Sequence, residues 1–196
     1  MDQADIPEEF AAKALISVGS NATSYHGDPE ATVAAALEAL NGPRRRVVAK
    51  SRLYRTPFVP AGTAPDVINA AAVLETTLTP AALLAELHRI EAEFGRTRAR
   101  RWGSRTLDLD LLMVGARILP DEARFRAWRD LAPSDQAARA PEELILPHPR
   151  FAERAFALVP AADVAPDWCH PVLGETVADL LAALPSPDVA AVRALG

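Results

Sequence analysis

The ordered pattern begins at Lys13–Asn21, "KALISVGSN", an apolar run that reads as a strand ending in a turn at Gly19–Asn21. Between Asp28 and Gly42 the apolar residues Val33, Ala36, Leu37 and Leu40 follow helical spacing. Asp28 is placed to cap this helix, Pro29 to start it and Gly42 to end it. Arg45–Thr56 reads as a strand, and Pro57, Pro60, Gly62 and Pro65 mark the loop after it. Asp66–Leu78, "DVINAAAVLETTL", reads as another strand, although its alanines fit a helix as well. Helical spacing returns from Thr79 to Gly95, with Pro80 at the start and Leu83, Leu84, Leu87, Ile90 and Phe94 as the buried stripe. Thr106–Gly115, "TLDLDLLMVG", reads as a strand. The order strand, helix, strand, strand, helix, strand predicts an α+β fold: a ferredoxin-like split βαβ sandwich with an antiparallel sheet.

The remaining segments decorate that core. Residues 1–12 read as a short N-terminal extension. Ala116–Glu143 is a polar, alanine-rich excursion with one short helix around Asp121–Leu131. Leu144–Pro160 returns to order, and Gly174–Pro185 reads as a terminal helix, so extra C-terminal helices are expected beside the sheet. At 196 residues the chain suits a single domain, 1–196, and at 49% apolar it supports a real core. A net charge of −5 argues against broad nucleic-acid binding, because a phosphate backbone wants a basic surface. The single cysteine, Cys169, excludes an internal disulfide and a multi-cysteine metal site. The acidic start lacks a signal pattern, and no run of about eighteen apolar residues is present to cross a membrane. A cytoplasmic monomer acting on small molecules is the expectation.

Charge changes that picture around "RWGSRTLDLDLLMVG", Arg101–Gly115. On a strand, residues two apart share a face, so Asp108 and Asp110 lie together while Leu107, Leu109 and Leu111 face the other way. Two carboxylates that close repel unless a cation lies between them. Magnesium fits, since it takes one or two carboxylates and completes its shell with water and phosphate oxygens. A solvated edge face explains the aspartates equally well on spacing alone. The neighbouring Arg96, Arg98, Arg100, Arg101 and Arg105 shift the balance, because that many guanidiniums beside a metal-holding pair suit a polyphosphate ligand. No Gly-Lys-Ser or Gly-Lys-Thr phosphate loop is present, so arginine and magnesium would have to hold any nucleotide.

In this setting the chain resembles the 6-hydroxymethyl-7,8-dihydropterin pyrophosphokinases from about Ala14 to Pro171. The matching pieces follow the family's order: "GSN" at Gly19–Asn21, "SRLYRTP" at Ser51–Pro57, Asn69, "RIEAEFGR" at Arg89–Arg96, "RWGSRTLDLDLL" at Arg101–Leu112 and "LPHPRFAERAF" at Leu146–Phe156. The resemblance implies transfer of pyrophosphate from ATP to the pterin hydroxymethyl group, with release of AMP. It implies that Asp108 and Asp110 hold two magnesium ions and that Arg96 and Arg105 contact the phosphates. Glu91, Arg98, Arg101, Trp102, His148 and Arg154 are expected along the ATP site. Thr56, Pro57, Val59, Asn69 and Phe156 are expected around the pterin.

Three features depart from the family pattern. Val67 stands where an aromatic residue often stacks on the pterin, His88 where a glutamine often stands, and Ala116–Glu143 is longer than usual. Its place just before Leu146–Arg150 predicts a flap over the nucleotide. The arginine-rich loop between Gly95 and Arg105 is expected to close over the phosphates. Two other functions fit parts of the pattern. A metal-dependent nucleotidyl transferase or nuclease also uses paired carboxylates, but the acidic balance opposes it. A nucleic-acid-binding module of this fold needs exposed aromatics on its central strands, and Asp66–Leu78 and Thr106–Gly115 have none.

Overall fold

Strand β1 (Ala12–Ser20) runs antiparallel between two others, β4 (Val67–Thr76) and β5 (Asp108–Val114). This computed structural model describes residues 12–58, 63–96, 105–132, 134–135 and 139–196. Residues 1–11 of the expected extension, Val59, and Arg98, Arg101 and Trp102 of the arginine loop lie outside the described residues.

Strands β2 (Arg45–Lys50) and β3 (Tyr54–Thr56) share the other edge of β4, one after the other. A two-residue strand, β6 (Arg193–Ala194), pairs with β3. The sheet order is β5-β1-β4-β3-β6, with β2 pairing β4 farther along. That is the split βαβ arrangement. The strand expected over Arg45–Thr56 is present in two pieces, with a register shift between Val47 and Ala49.

Helices cover both faces, so the sandwich has three layers. On one face lie α1 (Pro29–Ala39) and α2 (Pro80–Glu93), with Val33, Leu37, Leu83, Leu87 and Ile90 packed against Ile16, Val18, Ala70, Ala72, Leu109 and Leu111. Asp28 Oδ1 accepts the Ala31 N–H at 2.9 Å, Thr79 Oγ1 accepts that of Ala82 at 3.3 Å, and each helix starts on a proline. Gly95, at φ +77°, ends the second one. On the opposite face α4 (Ala155–Val164) and α5 (Val177–Ala182) pack on Leu15, Ala71, Val73 and Met113. Strand β4 is thus buried from both sides. Its alternating alanines serve two different cores and let helices approach closely, which settles its ambiguity in favour of strand.

The excursion carries α3 (Glu122–Arg129), capped by Asp121, whose Oδ1 accepts the Arg124 N–H at 2.8 Å. Its one buried residue, Phe125, packs on His170 with ring centroids 5.4 Å apart. Nearby, Trp168 Nε1 donates to the Gly115 carbonyl at 3.2 Å. Leu119 and Leu146 close the base of the excursion with two backbone bonds of 2.9 Å. The helix therefore leans on the C-terminal segment at the Gly115 end of β5. At ~3.3 Å per residue that end lies roughly 20 Å from Asp108. The apolar side of α3 is committed to His170.

Candidate functional site

Register between three strands builds the floor. Gly19 on β1 lies opposite Asn69 on one side and Asp108 on the other, and Ser17 lies opposite Ala71 and Asp110. All six share the face covered farther along by α4. Gly19 leaves a trough between the amide and the carboxylate. A Cβ there would come within 3.3 Å of Asn69 Oδ1 and 3.7 Å of a Val67 methyl. Asn69 is buried, and its Nδ2 donates to Thr56 Oγ1 at 2.8 Å and to the Val67 carbonyl at 3.3 Å. The amide thus joins β4 to the end of β3, where Thr56 and Pro57 stand.

Arginines approach Asp108 from two directions. Arg96 NH1 reaches its Oδ1 at 2.8 Å, and Arg105 bonds its Oδ2. Glu91, 2% exposed, stands behind Arg96: its Oε1 accepts the Leu109 N–H at 2.8 Å and also pairs with Arg96. Glu91 therefore supports β5 and the guanidinium instead of opening to solvent. Burial pushes its carboxyl up to about 7, against the pull of the Leu109 N–H and Arg96. Burial, then the charge of Asp110, also raises Asp108 above the usual carboxylate range, while Arg105 and Arg96 pull it back. Asp110 enters no ion pair among the described residues.

Loops fix this end of the sheet. Asn21 exchanges two bonds with Arg105: its N–H donates to the Arg105 carbonyl at 3.1 Å, and its Oδ1 accepts the Arg105 N–H at 2.7 Å. Ser20 Oγ donates to the Thr106 carbonyl at 2.6 Å. The "GSN" turn therefore holds the entry to β5.

The opposite wall comes from the segment after the excursion. The His148 N–H donates to the Leu112 carbonyl at 2.8 Å, laying this segment along β5. Burial, then the charge of Arg154, push the His148 imidazole down to about 3, and its Nδ1 accepts the Arg150 N–H at 3.2 Å. Burial works against the charge of Arg154, and Asp110 favours it. Arg154 Cζ lies 5.6 Å from the Phe156 ring centroid, so these two side chains form one ledge.

Glu91, Arg96, Asp108 and Arg105 thus form one connected charged group, with Asp110, the neutral His148 and Arg154 beside it. Thr56, Asn69 and Phe156 lie toward β3 and α4. Two floor residues escaped the sequence reading as members of this surface, Ser17 and Gly19. The period-two alternation that pairs Asp108 with Asp110 also puts Ser17 and Gly19 on a common face of β1, but only the register aligns the two strands.

Residues 15–166 match the sequence profile of the family described as 7,8-dihydro-6-hydroxymethylpterin-pyrophosphokinase. The chain belongs to that family. A 2-amino-4-hydroxy-6-hydroxymethyldihydropteridine pyrophosphokinase of Methylorubrum extorquens is 41% identical over 175 residues, covering 88% of this chain and 93% of the relative. The Pseudomonas aeruginosa protein of the same description is 37% identical over 174 residues, covering 88% and 92%. A crystal structure of wild-type Plasmodium falciparum HPPK-DHPS with pteroate superposes with a TM-score of 0.62 at 13% identity, over 87% of this chain. At that identity the likeness concerns the fold, and this chain spans 44% of that longer protein. Membership in the pyrophosphokinase family carries ATP-dependent pyrophosphoryl transfer in folate biosynthesis, acting on small molecules.

Proposed function

We propose that this site transfers pyrophosphate from ATP to the hydroxymethyl group of 6-hydroxymethyl-7,8-dihydropterin, with the residue roles that follow. The observation that supports it best is the register Asn69–Gly19–Asp108, with a heterocycle-reading amide and a metal-binding carboxylate on either side of an open glycine. The hydroxymethyl oxygen forms a bond to the β-phosphorus, the bridge to the α-phosphate breaks, AMP leaves, and the hydroxyl proton is released. No covalent enzyme intermediate is needed, so positioning and charge neutralisation supply most of the catalysis.

Asp108 and Asp110 suit magnesium, because two carboxylates on one strand face leave the rest of the shell for water and phosphate. Two magnesium ions held there would offset negative charge on the β- and γ-phosphates. Both oxygens of Asp108 are engaged by guanidiniums, so Arg96 and Arg105 would be free to turn toward the phosphates where Asp108 held a cation. Arg96 and Arg105 then stabilise the transferring group. Glu91 acts through Arg96. His148 and Arg154 face the nucleotide, and Thr56, Pro57, Asn69 and Phe156 surround the pterin. In the same reading the protein is one domain and a cytoplasmic monomer. Tyr25 and Val48 are the large exposed hydrophobics among the described residues, far short of an obligate interface.

Asp108→Asn and Asp110→Asn test the proposal. Each retains the side-chain shape and removes a metal-binding charge. Turnover, followed as AMP formed from magnesium-ATP and the pterin, should fall at least about 100-fold, the ~3 kcal/mol expected for a lost transition-state contact. Circular dichroism should be unchanged. Near-normal turnover in either variant at saturating magnesium would mean that the site lies elsewhere.

A further inference from the structure

The family match ends at residue 166, yet the chain beyond it returns to the pterin side of the sheet. After α5, the short helix α6 (Ser186–Ala190) leads into β6. There Ala194 pairs with Tyr54 and Arg193 with Arg55, and the Leu195 N–H donates to the Leu53 carbonyl at 2.9 Å. Just before the strand, Val192 is buried in one apolar cluster with Tyr54 and Ala155. Tyr54 lies two residues before Thr56 and opposite Asn69, and Ala155 lies between Arg154 and Phe156. The tail therefore meets both segments that carry the proposed pterin contacts.

We infer that the C-terminal strand β6 is a positioning element for the pterin pocket, setting β3 in the register that presents Thr56 and Pro57 beside Asn69. This rests on the pterin reading above. A three-residue strand has few ladder bonds, so a partner on its outer edge matters to its local order. Losing that partner returns a few backbone groups to water, at a small net cost in global stability. Local disorder is then removed at the moment of binding, which weakens affinity. The metal-binding carboxylates lie on β5 at the opposite edge of the sheet, so the effect falls on one substrate.

The test removes Arg193–Gly196 and measures KM for both substrates, kcat and thermal midpoint. The KM for pterin should rise about fivefold or more, the equivalent of ~1 kcal/mol of lost preorganisation. The KM for magnesium-ATP should stay within about twofold, roughly 0.4 kcal/mol. Leu195→Pro should reproduce the split in a full-length chain, because it deletes the donor to Leu53, while Leu195→Ala should not. The double variant Arg193→Thr/Ala194→Val, which changes exposed side chains and retains the backbone pairing, should behave as wild type. Phe156→Ala separates the two ideas. If it raises the pterin KM while the truncation and Leu195→Pro do not, β6 has no positioning role and the pocket reading stands. If Phe156→Ala leaves the pterin KM unchanged, the pocket reading is wrong and the inference goes with it. Proportional rises in both KM values that track a lowered thermal midpoint would reduce β6 to a structural brace.

Discussion

Glu91 illustrates what a single residue does here. Its type and spacing mark an ordinary helix-surface acid, but the structure buries it under the Leu109 N–H and Arg96. Glu91→Ala should strand that N–H and cost about 1–3 kcal/mol in urea unfolding, whereas Glu91→Gln, which retains an accepting oxygen, should cost much less. Equal losses in the two variants would mean that the bond to Leu109 contributes nothing. Asp108 and Asp110 were legible because a strand has period two and nearby arginines announce an anion. Burial of Glu91 was not, since it depends on where α2 crosses β5. The Asn69–Thr56 bond joins positions thirteen apart in sequence and follows from the β3–β4 register.

At the scale of elements, the two main helices were legible from caps, prolines and apolar spacing, all local in sequence. The far end of α1 was not, because its cap comes from another element. Arg45 of β2 donates Nε to the Leu40 carbonyl at 2.9 Å and NH2 to that of Ala39 at 3.4 Å, and pairs with Glu86 of α2 at 2.6 Å. Gly42 makes room for it: a Cβ there would lie 3.1 Å from the guanidinium carbon. A guanidinium at a helix C-terminus satisfies orphan carbonyls and complements the dipole. Arg45→Ala should therefore destabilise the protein by about 3 kcal/mol without changing the urea m-value, since it breaks a mostly buried charge-assisted group. A loss below ~1 kcal/mol would show that the carbonyls find water at no penalty. The excursion helix was legible in sequence, but the residue it docks on was not. Its caps are local, whereas its docking on His170 is not.

Across the whole molecule, His170 ties the excursion to the C-terminal half. It is fully buried, its Nδ1 accepts the Val172 and Leu173 N–H groups at 3.3 Å each, and Phe125 packs against the ring. Burial, with a further push from Arg129, takes its pKa from 6.5 down to about 4. The fold therefore favours the neutral ring. Its contribution to stability is complete above about pH 6.5 and disappears as the pH falls toward about 4, at a linkage cost of roughly 3 kcal/mol. His170→Asn retains an acceptor for both N–H groups and does not titrate, so its stability should fall less between those pH values. His148 titrates identically in both proteins and drops out of the comparison. Parallel pH profiles for wild type and variant would refute the linkage. Sequence alone determined the α+β order, the carboxylate pair with its arginines, and the family, because each is written in short-range periodicity and residue type. Tertiary structure decided that helices cover both faces, that α3 docks on His170, that Ser17 and Gly19 join the floor, and that the last residues return to β3. These are long-range pairings, set by register and by which apolar faces meet, and no local pattern encodes them.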